Sequence, residues 1–172
     1  MKRIYINESV CIGCRLCEVY CVVAHSRSKD LVKAFTRESP RPLPSLRVEE
    51  RKPVCFAVQC HHCADPACVY ACLTGALRRD PDSGIVSVDV EKCTGCWTCI
   101  LACPVGAIAQ DTCEEKIVKC DLCTGKDMPV CAANCPNEAL VYAEDQGDTV
   151  NNTTINHSTQ GKEVETWKGN CL

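Results

Sequence analysis

The chain has 172 residues, enough for one or two compact domains, and a formal net charge of −3. Its lysines and arginines are scattered and no apolar stretch is long enough to span a bilayer. We therefore expect neither a nucleic-acid partner nor a transmembrane helix. Cysteine is the most informative residue, with 19 copies against two Phe and two Trp.

The cysteines are expected to be metal-binding thiols and not disulfides. Their number is odd, the N-terminus lacks the apolar core of a secretory signal, and the repeated C-x-x-C spacing suits metal ligation. Because abundant thiols are kept reduced inside cells, we predict a cytoplasmic location.

The first elements in chain order are a short strand and an insertion. Residues 3–6 resemble residues 139–142, and we predict that the two stretches pair as a ribbon of the chain termini. Residues 22–59 form an insertion, with a predicted helix at 22–35 and a proline-rich extended arm at 40–44. We expect this insertion to pack over the cysteine motifs as a connector, and a docking arm is the alternative.

Four copies of one cysteine pattern account for 16 of the 19 cysteines. Copies one and three are the unbroken run C-x-x-C-x-x-C-x-x-x-C, whereas copies two and four have a longer gap before the third cysteine. The unbroken run is the signature of bacterial [4Fe–4S] ferredoxins, in which the fourth cysteine holds a neighbouring cluster. Zinc would suit a lone C-x-x-C pair, but four quartets favour iron–sulfur clusters. The four copies are Cys11, Cys14, Cys17 and Cys21; Cys60, Cys63, Cys68 and Cys72; Cys93, Cys96, Cys99 and Cys103; and Cys120, Cys123, Cys131 and Cys135.

Turns and short strands follow the motifs. Pro104 and Pro136 directly follow a fourth cysteine and are expected to end the short helical turn that presents it. A hairpin is predicted from residues 76–79 and 85–88, and a second strand pair from residues 108–110 and 116–119.

A few residues near the motifs invite other roles. The quartet beside His61 and His62 is complete, so we expect both histidines to lie behind the ligands or at the surface. Trp97 is expected to be an apolar lid and not an electron relay. No ligand role is assigned to the cysteines outside the quartets, which are Cys55, Cys113 and Cys171.

These elements predict an α+β fold with two ferredoxin-like dicluster modules, one in each half of the chain. Short hairpins and helical turns would build this tandem domain over residues 1–143, interrupted by the proline-rich insertion. Residues 144–172 form an extended polar tail that alone would be disordered, although Trp167 suits an anchor on a surface. A flexible terminus and a docking arm both remain open.

Over about residues 3–143 the order of the quartets and the turns after them resemble the four-cluster ferredoxin-like electron-transfer subunits of multi-subunit oxidoreductases. Such subunits serve formate dehydrogenases, hydrogenases, dimethyl sulfoxide reductases, aldehyde oxidoreductases and carbon monoxide dehydrogenase. Residues 11–21 and 68–77 look most like the branch associated with carbon monoxide dehydrogenase. Leu73 departs from the family pattern, because proline usually stands there.

The resemblance implies four [4Fe–4S] clusters with a nested exchange of ligands, in which motif one pairs with motif four and motif two with motif three. All of the motif-three cysteines are present, so a three-iron cluster is not expected. The implied ligand sets are Cys11, Cys14, Cys17 and Cys135; Cys120, Cys123, Cys131 and Cys21; Cys60, Cys63, Cys68 and Cys103; and Cys93, Cys96, Cys99 and Cys72.

The resemblance also implies an electron-transfer subunit that connects a catalytic redox subunit with a second electron donor or acceptor, in anaerobic metabolism. No dinucleotide-binding glycine fingerprint occurs, so NAD or flavin is expected on a partner. Catalysis at a cluster would need a missing thiolate, and all four quartets are full. The alternative is a structural or assembly subunit whose tail tethers other subunits.

Removal of the metal is expected to unfold the protein. The chain has few large apolar side chains, and the free energy of metal binding is also folding free energy. Treatment with an iron chelator under reducing conditions should therefore abolish the far-UV circular dichroism signal and the cooperative thermal transition. A chelated, reduced sample that kept both would contradict the prediction.

Overall fold

The computed structural model describes residues 1–51 and 53–144, which form short helices and two-stranded sheets, in agreement with the predicted α+β class. The helices described in these residues are α1 (Leu16–His25), α2 (Leu31–Thr36), α3 (Ala67–Tyr70), α4 (Thr98–Ala102) and α5 (Val130–Ala133). The strands are β1 (Lys2–Ile6), β2 (Leu46–Arg51), β3 (Val54–Gln59), β4 (Leu77–Arg79), β5 (Val86–Val88), β6 (Ala109–Asp111), β7 (Lys116–Val118) and β8 (Leu140–Glu144).

The predicted ribbon of the two chain ends is present. Strand β1 pairs antiparallel with β8, and Ile4 lies opposite Tyr142 while Ile6 lies opposite Leu140. Ile4 and Leu140 are both buried, so the ribbon contributes directly to the core. The pairing brings motif one beside motif four, and helix α1 packs against α5.

The two short hairpins also lie where the sequence places them. Strand β4 pairs with β5, with Leu77 opposite Val88, and β6 pairs with β7, with Ala109 opposite Val118. Helices α3 and α4 pack against each other and bring motifs two and three together. No described helix is long and apolar enough to cross a membrane, and the longest of them has ten residues.

The insertion contains a third hairpin that the sequence analysis missed. The helix predicted at residues 22–35 is instead two helices, because α1 ends at His25 and Asp30 caps the start of α2 by accepting the Lys33 N–H at 2.8 Å. After residues 41–44, which lie in neither helix nor strand, β2 pairs antiparallel with β3.

The β2–β3 hairpin is bound to the rest of the fold from both of its strands. The Glu18 carboxylate accepts the N–H of Val48 at 2.6 Å, and the Gln59 side chain donates to the Ile4 carbonyl at 2.8 Å. Arg47 donates to the carbonyl of Gly106 in the turn after motif three. These contacts make the hairpin part of the core packing and not a free arm.

The two hydrophobic cores do not follow the two halves of the chain. One core combines the ribbon and the β2–β3 hairpin with cysteines of motifs one and four, whereas the other combines the β4–β5 and β6–β7 strands with cysteines of motifs two and three. The modules are therefore nested, and the inner one lies between the two parts of the outer one in sequence. The expectation of one module in each half needs this correction, because the pairing of the termini joins the first motif to the last.

Gly95 in the motif-three loop has little tolerance for a side chain. Its φ of +67° is in the left-handed region, and a Cβ would collide with the backbone carbonyl oxygen of Glu115. Gly75 has a similar φ of +63°, but no atom lies within 4 Å of the place where its Cβ would be. Substituting each glycine by alanine therefore distinguishes the destabilisation caused by backbone strain, present at both positions, from that caused by steric overlap, present only at Gly95.

Gly75→Ala is expected to destabilise the protein by about 1 kcal/mol through backbone strain alone. Gly95→Ala is expected to cost roughly 1–3 kcal/mol more, because a backbone oxygen must move. Thermal denaturation of the metal-loaded proteins, followed by far-UV circular dichroism, measures the difference. If the two variants melted at the same temperature, the predicted collision between a Cβ at position 95 and the Glu115 carbonyl oxygen would be refuted.

Candidate iron–sulfur cluster sites

Site I is a cavity between the two ends of the chain, next to the β1–β8 ribbon. Its loop curls through left-handed turns at Gly13 and Arg15, where φ is +68° and +59°, before α1 begins. Val48 and Ala57 of the β2–β3 hairpin line the same cavity with apolar side chains. The cysteines that line site I are Cys11, Cys14, Cys17 and Cys135.

Site III is a second cavity, built from motif two and the last cysteine of motif three. Val86 of β5 and Ile108, just before β6, close its apolar side, and Pro66 and Pro104 lie at its rim. The cysteines that line site III are Cys60, Cys63, Cys68 and Cys103.

The thiols of sites II and IV lie close enough to influence one another's pKa. Burial raises the pKa of Cys131 to about 12, and the neighbouring Cys21 and Cys123 thiolates raise it further. Burial likewise raises the pKa of Cys99 to about 11, with added repulsion from Cys93. Site II consists of Cys21, Cys120, Cys123 and Cys131, and site IV of Cys72, Cys93, Cys96 and Cys99.

The four groups contain the same cysteines as the four ligand sets that the resemblance implies. All sixteen carry free thiols, as a metal site requires. Each group takes three cysteines from one motif and its fourth from another, so the chain must fold before any site is complete. The role of these thiols as iron ligands stays a prediction.

The sites follow one another in a row. Cys131 of site II also interacts with Cys17 of site I, and Cys120 of site II interacts with Cys60 of site III. Sites III and IV are joined by helix α3, which contains Cys68 of site III and ends two residues before Cys72 of site IV. The order along the molecule is therefore I, II, III, IV.

Backbone N–H groups donate hydrogen bonds to the motif thiols. The residue four positions after the last cysteine donates to that sulfur in two motifs, from Ala107 to Cys103 at 3.4 Å and from Ala139 to Cys135 at 3.2 Å. Similar bonds of 3.3–3.4 Å reach the sulfurs of Cys21, Cys60 and Cys120. Such donors favour the thiolate over the thiol, and around an iron–sulfur cluster they influence its reduction potential.

Leu73 does not disturb the turn that proline usually makes after the fourth cysteine. The N–H of Gly75 donates to the Cys72 carbonyl at 3.3 Å, and Gly106 makes the same bond to Cys103 at 3.1 Å. Burial opposes ionisation of Cys72, but hydrogen bonds from backbone groups, chiefly that of Leu77, hold its pKa below the ordinary value. The turn thus depends on backbone bonds and not on proline.

His62 is buried behind motif two, in agreement with one of the roles expected for it. Its Nδ1 accepts the N–H of Val86 at 3.0 Å. Burial, together with the nearby Lys119 charge, lowers the His62 pKa to about 3, so the ring is neutral. His61, by contrast, is exposed and lies at the rim of site III.

The structure gives the burial of Trp97 and of two cysteines outside the quartets. Trp97 is half-buried against the inner core at the start of α4, as an apolar lid would be. Cys55 is buried in β3 beside Gly13 and is disulfide-bonded, so the expectation of no disulfides is wrong for this cysteine. Cys113 is exposed near the β6–β7 turn. Cys171 lies outside the described residues.

Three polar residues near site II were missed by the sequence analysis. His25 Nδ1 lies 2.8 Å from the Cys21 carbonyl oxygen, and its Nε2 lies 3.2 Å from the Asp121 carboxylate. The hydrogen bond to Asp121 and the contact with Cys21 raise the His25 pKa to about 11, and His25 lowers that of Asp121 to about 2. The third residue is Lys119, which precedes Cys120.

His25, Asp121 and Cys123 place one ligand atom each within 4.8 Å of one another. Cys123 already belongs to site II, so we assign His25 and Asp121 to its surroundings and not to a separate metal site. The interacting positions are 96 residues apart in the sequence. No local pattern could have indicated that they meet.

These groups of thiols fit [4Fe–4S] clusters, because each offers four soft sulfur donors beside backbone N–H groups or apolar walls. The chain also matches the family of 4Fe-4S dicluster domains over residues 52–160. It is 38% identical to the electron transport protein HydN of Escherichia coli K12, over 84% of this chain and 89% of HydN.

Two further relatives agree with this match. An iron-sulfur protein of Rhodospirillum rubrum is 35% identical over 80% of this chain and 79% of its own length. The putative oxidoreductase AegA of Escherichia coli K12 is 34% identical over 84% of this chain, which spans 22% of AegA. The chain therefore belongs to the ferredoxin-like [4Fe–4S] electron-transfer protein family, as the sequence motifs predicted.

The exchange of ligands between motifs can be tested with paired alanine variants. If Cys21 and Cys131 hold one cluster, then Cys21→Ala, Cys131→Ala and the double variant should each lose the same resonance signal and about four irons. The combination of Cys17→Ala with Cys131→Ala should instead remove two signals and about eight irons. Iron analysis and electron paramagnetic resonance of the reduced proteins measure both.

Cys113→Ala is the control, because Cys113 is exposed and lies outside all four sites. It should retain the full iron content. Loss of two signals from the Cys21 and Cys131 double variant would contradict the nested exchange.

Proposed function

We propose that the chain is an electron-transfer subunit with one [4Fe–4S] cluster in each of sites I to IV. The observation that carries the proposal is the row of four thiol groups that runs through the fold. When bound, such clusters supply one-electron redox centres whose potentials depend on hydrogen bonds to sulfur, charge and solvent access.

The two ends of the row are the proposed points of electron entry and exit. Cys14 of site I and Cys96 of site IV are exposed, whereas Cys120 and Cys131 of site II are buried. Exposed apolar side chains accompany the outer sites, among them Ile12 beside site I and Leu101 on α4 beside site IV. An exposed cluster with an apolar border suits transient contact with a redox partner.

The proposed partners are a catalytic oxidoreductase subunit and a second electron donor or acceptor. In AegA, which is named as a putative oxidoreductase, the matching segment is a small part of a longer protein, so such a segment occurs together with further domains. Carbon monoxide dehydrogenase, formate dehydrogenase, hydrogenase and aldehyde oxidoreductase are the catalytic candidates. No substrate reaction is assigned to this chain, and its many free thiols favour a reducing, cytoplasmic setting.

The proposed division into a cluster domain and a tail concerns how partners assemble. The presence of Val48 and Ala57 in the lining of site I supports including the insertion in the cluster domain. The predicted tail begins at residue 144, and residues 145–172 lie outside the described residues. Tethering of partners by the tail therefore stays a hypothesis.

Anaerobically purified protein is expected to contain about sixteen iron atoms and sixteen acid-labile sulfides per chain. Stepwise reduction with dithionite should deliver about four electrons, because each cluster accepts one. Metal analysis, sulfide analysis and a redox titration followed by resonance spectroscopy measure these quantities. Zinc in place of iron, or an iron content of half or less, would contradict the proposal.

A further inference from the structure

Lys119 is a buried cation between two of the proposed cluster sites. It is 6% exposed, and among the lysines and arginines of the described residues it is the one that is buried. A buried ammonium group is costly unless hydrogen bonds and negative charge compensate it. The surroundings of this side chain therefore indicate what it does.

The Lys119 ammonium group donates to one carbonyl of each neighbouring site. Its Nζ lies 2.5 Å from the carbonyl oxygen of Val86, which lines site III, and 2.9 Å from that of Cys120, which belongs to site II. The same Val86 residue donates its N–H to His62. Both polar groups of Val86 are thus fixed, and the ammonium is held between the two sites.

No carboxylate compensates the charge of Lys119 among the ion pairs formed within the described residues. The cysteines of the neighbouring sites are among the ionisable groups that it influences. Burial raises the pKa of Cys68 in site III, and Lys119 is the strongest influence that opposes this rise. Lys119 also opposes the rise that burial causes in the pKa of Cys120 in site II.

We propose that the Lys119 ammonium compensates the negative charge of the clusters in sites II and III and raises their reduction potentials. This inference rests on the proposed function. Reduction brings one electron from the donor, no bond forms or breaks, and no proton is transferred. Because the added charge is negative, a cation fixed nearby in a poorly solvated region favours the reduced state.

As a consequence, clusters in sites II and III, in the middle of the row, would accept an electron more readily than the same clusters without Lys119. Site I has Arg15 nearby, but that guanidinium is exposed and pairs with Glu18 and Glu50. Its charge is therefore largely screened by solvent and by the two carboxylates. The four sites are thus not electrostatically equivalent.

The test compares Lys119→Gln, which removes the charge and keeps a hydrogen-bond donor, with Lys119→Arg, which keeps the charge. Lys33→Gln is a matched control, since it removes an exposed positive charge from α2. Full-length, metal-loaded proteins are titrated with dithionite, and resonance spectra follow each cluster. The site III signal is identified as the one lost in Cys103→Ala protein.

In Lys119→Gln the reduction equilibrium of site III should shift about tenfold or more toward the oxidised form, which is about 59 mV for one electron. Lys119→Arg and Lys33→Gln should stay within about threefold of the unaltered protein, because the charge is kept in one and lies at the exposed surface in the other. An unchanged site III potential in Lys119→Gln protein with full iron would overturn the proposal.

Loss of iron is also informative. If Lys119→Gln loses the site III cluster and Lys119→Arg keeps it, the charge is needed to hold the anionic cluster, and the proposal stands. Equal loss in both variants would overturn it, because shape and not charge would then matter. Absence of cluster signals from the unaltered protein would instead refute the proposed function, so the two failures are distinguishable.

Discussion

The structure depends on bringing four thiols to each site from motifs that are far apart in the sequence. No two-stranded sheet or short helix in the described residues could provide a core of its own, and four of the ten buried residues of the outer core are cysteines. The helices and strands that surround these cysteines in the described residues are short, and each sheet has two strands. Bonds between metal and thiolate would therefore replace much of the apolar packing that a domain of this size usually has.

The concentration of sulfur creates an electrostatic problem that the backbone and a few side chains address. Burial by itself disfavours thiolates, as the raised pKa values of Cys17, Cys99 and Cys131 indicate. Backbone N–H groups and the buried Lys119 oppose this tendency at different sites. The same polypeptide thus gives each group of thiols a different environment, which is a requirement for clusters of different potential.

Much of the fold could be predicted where the signal is local. The ribbon and the two short hairpins follow from apolar stretches beside turn residues, and all three occur. The β2–β3 hairpin was missed because its alternation of buried and exposed residues is obscured by the charged and proline-containing segment at residues 49–53. Lys119 and His25 could not be assigned, since their importance comes from neighbours that are distant in sequence.

The nested arrangement of the motifs has a consequence for biogenesis. Every cysteine of sites III and IV lies within residues 60–103, whereas site II needs Cys131 and site I needs Cys135, which comes shortly before the closing strand β8. As the chain leaves the ribosome, the half of the row that contains sites III and IV is complete in sequence well before the half that contains sites I and II. Insertion of iron and sulfide would then proceed from the middle of the chain outward, and joining of the termini would be the last step of maturation.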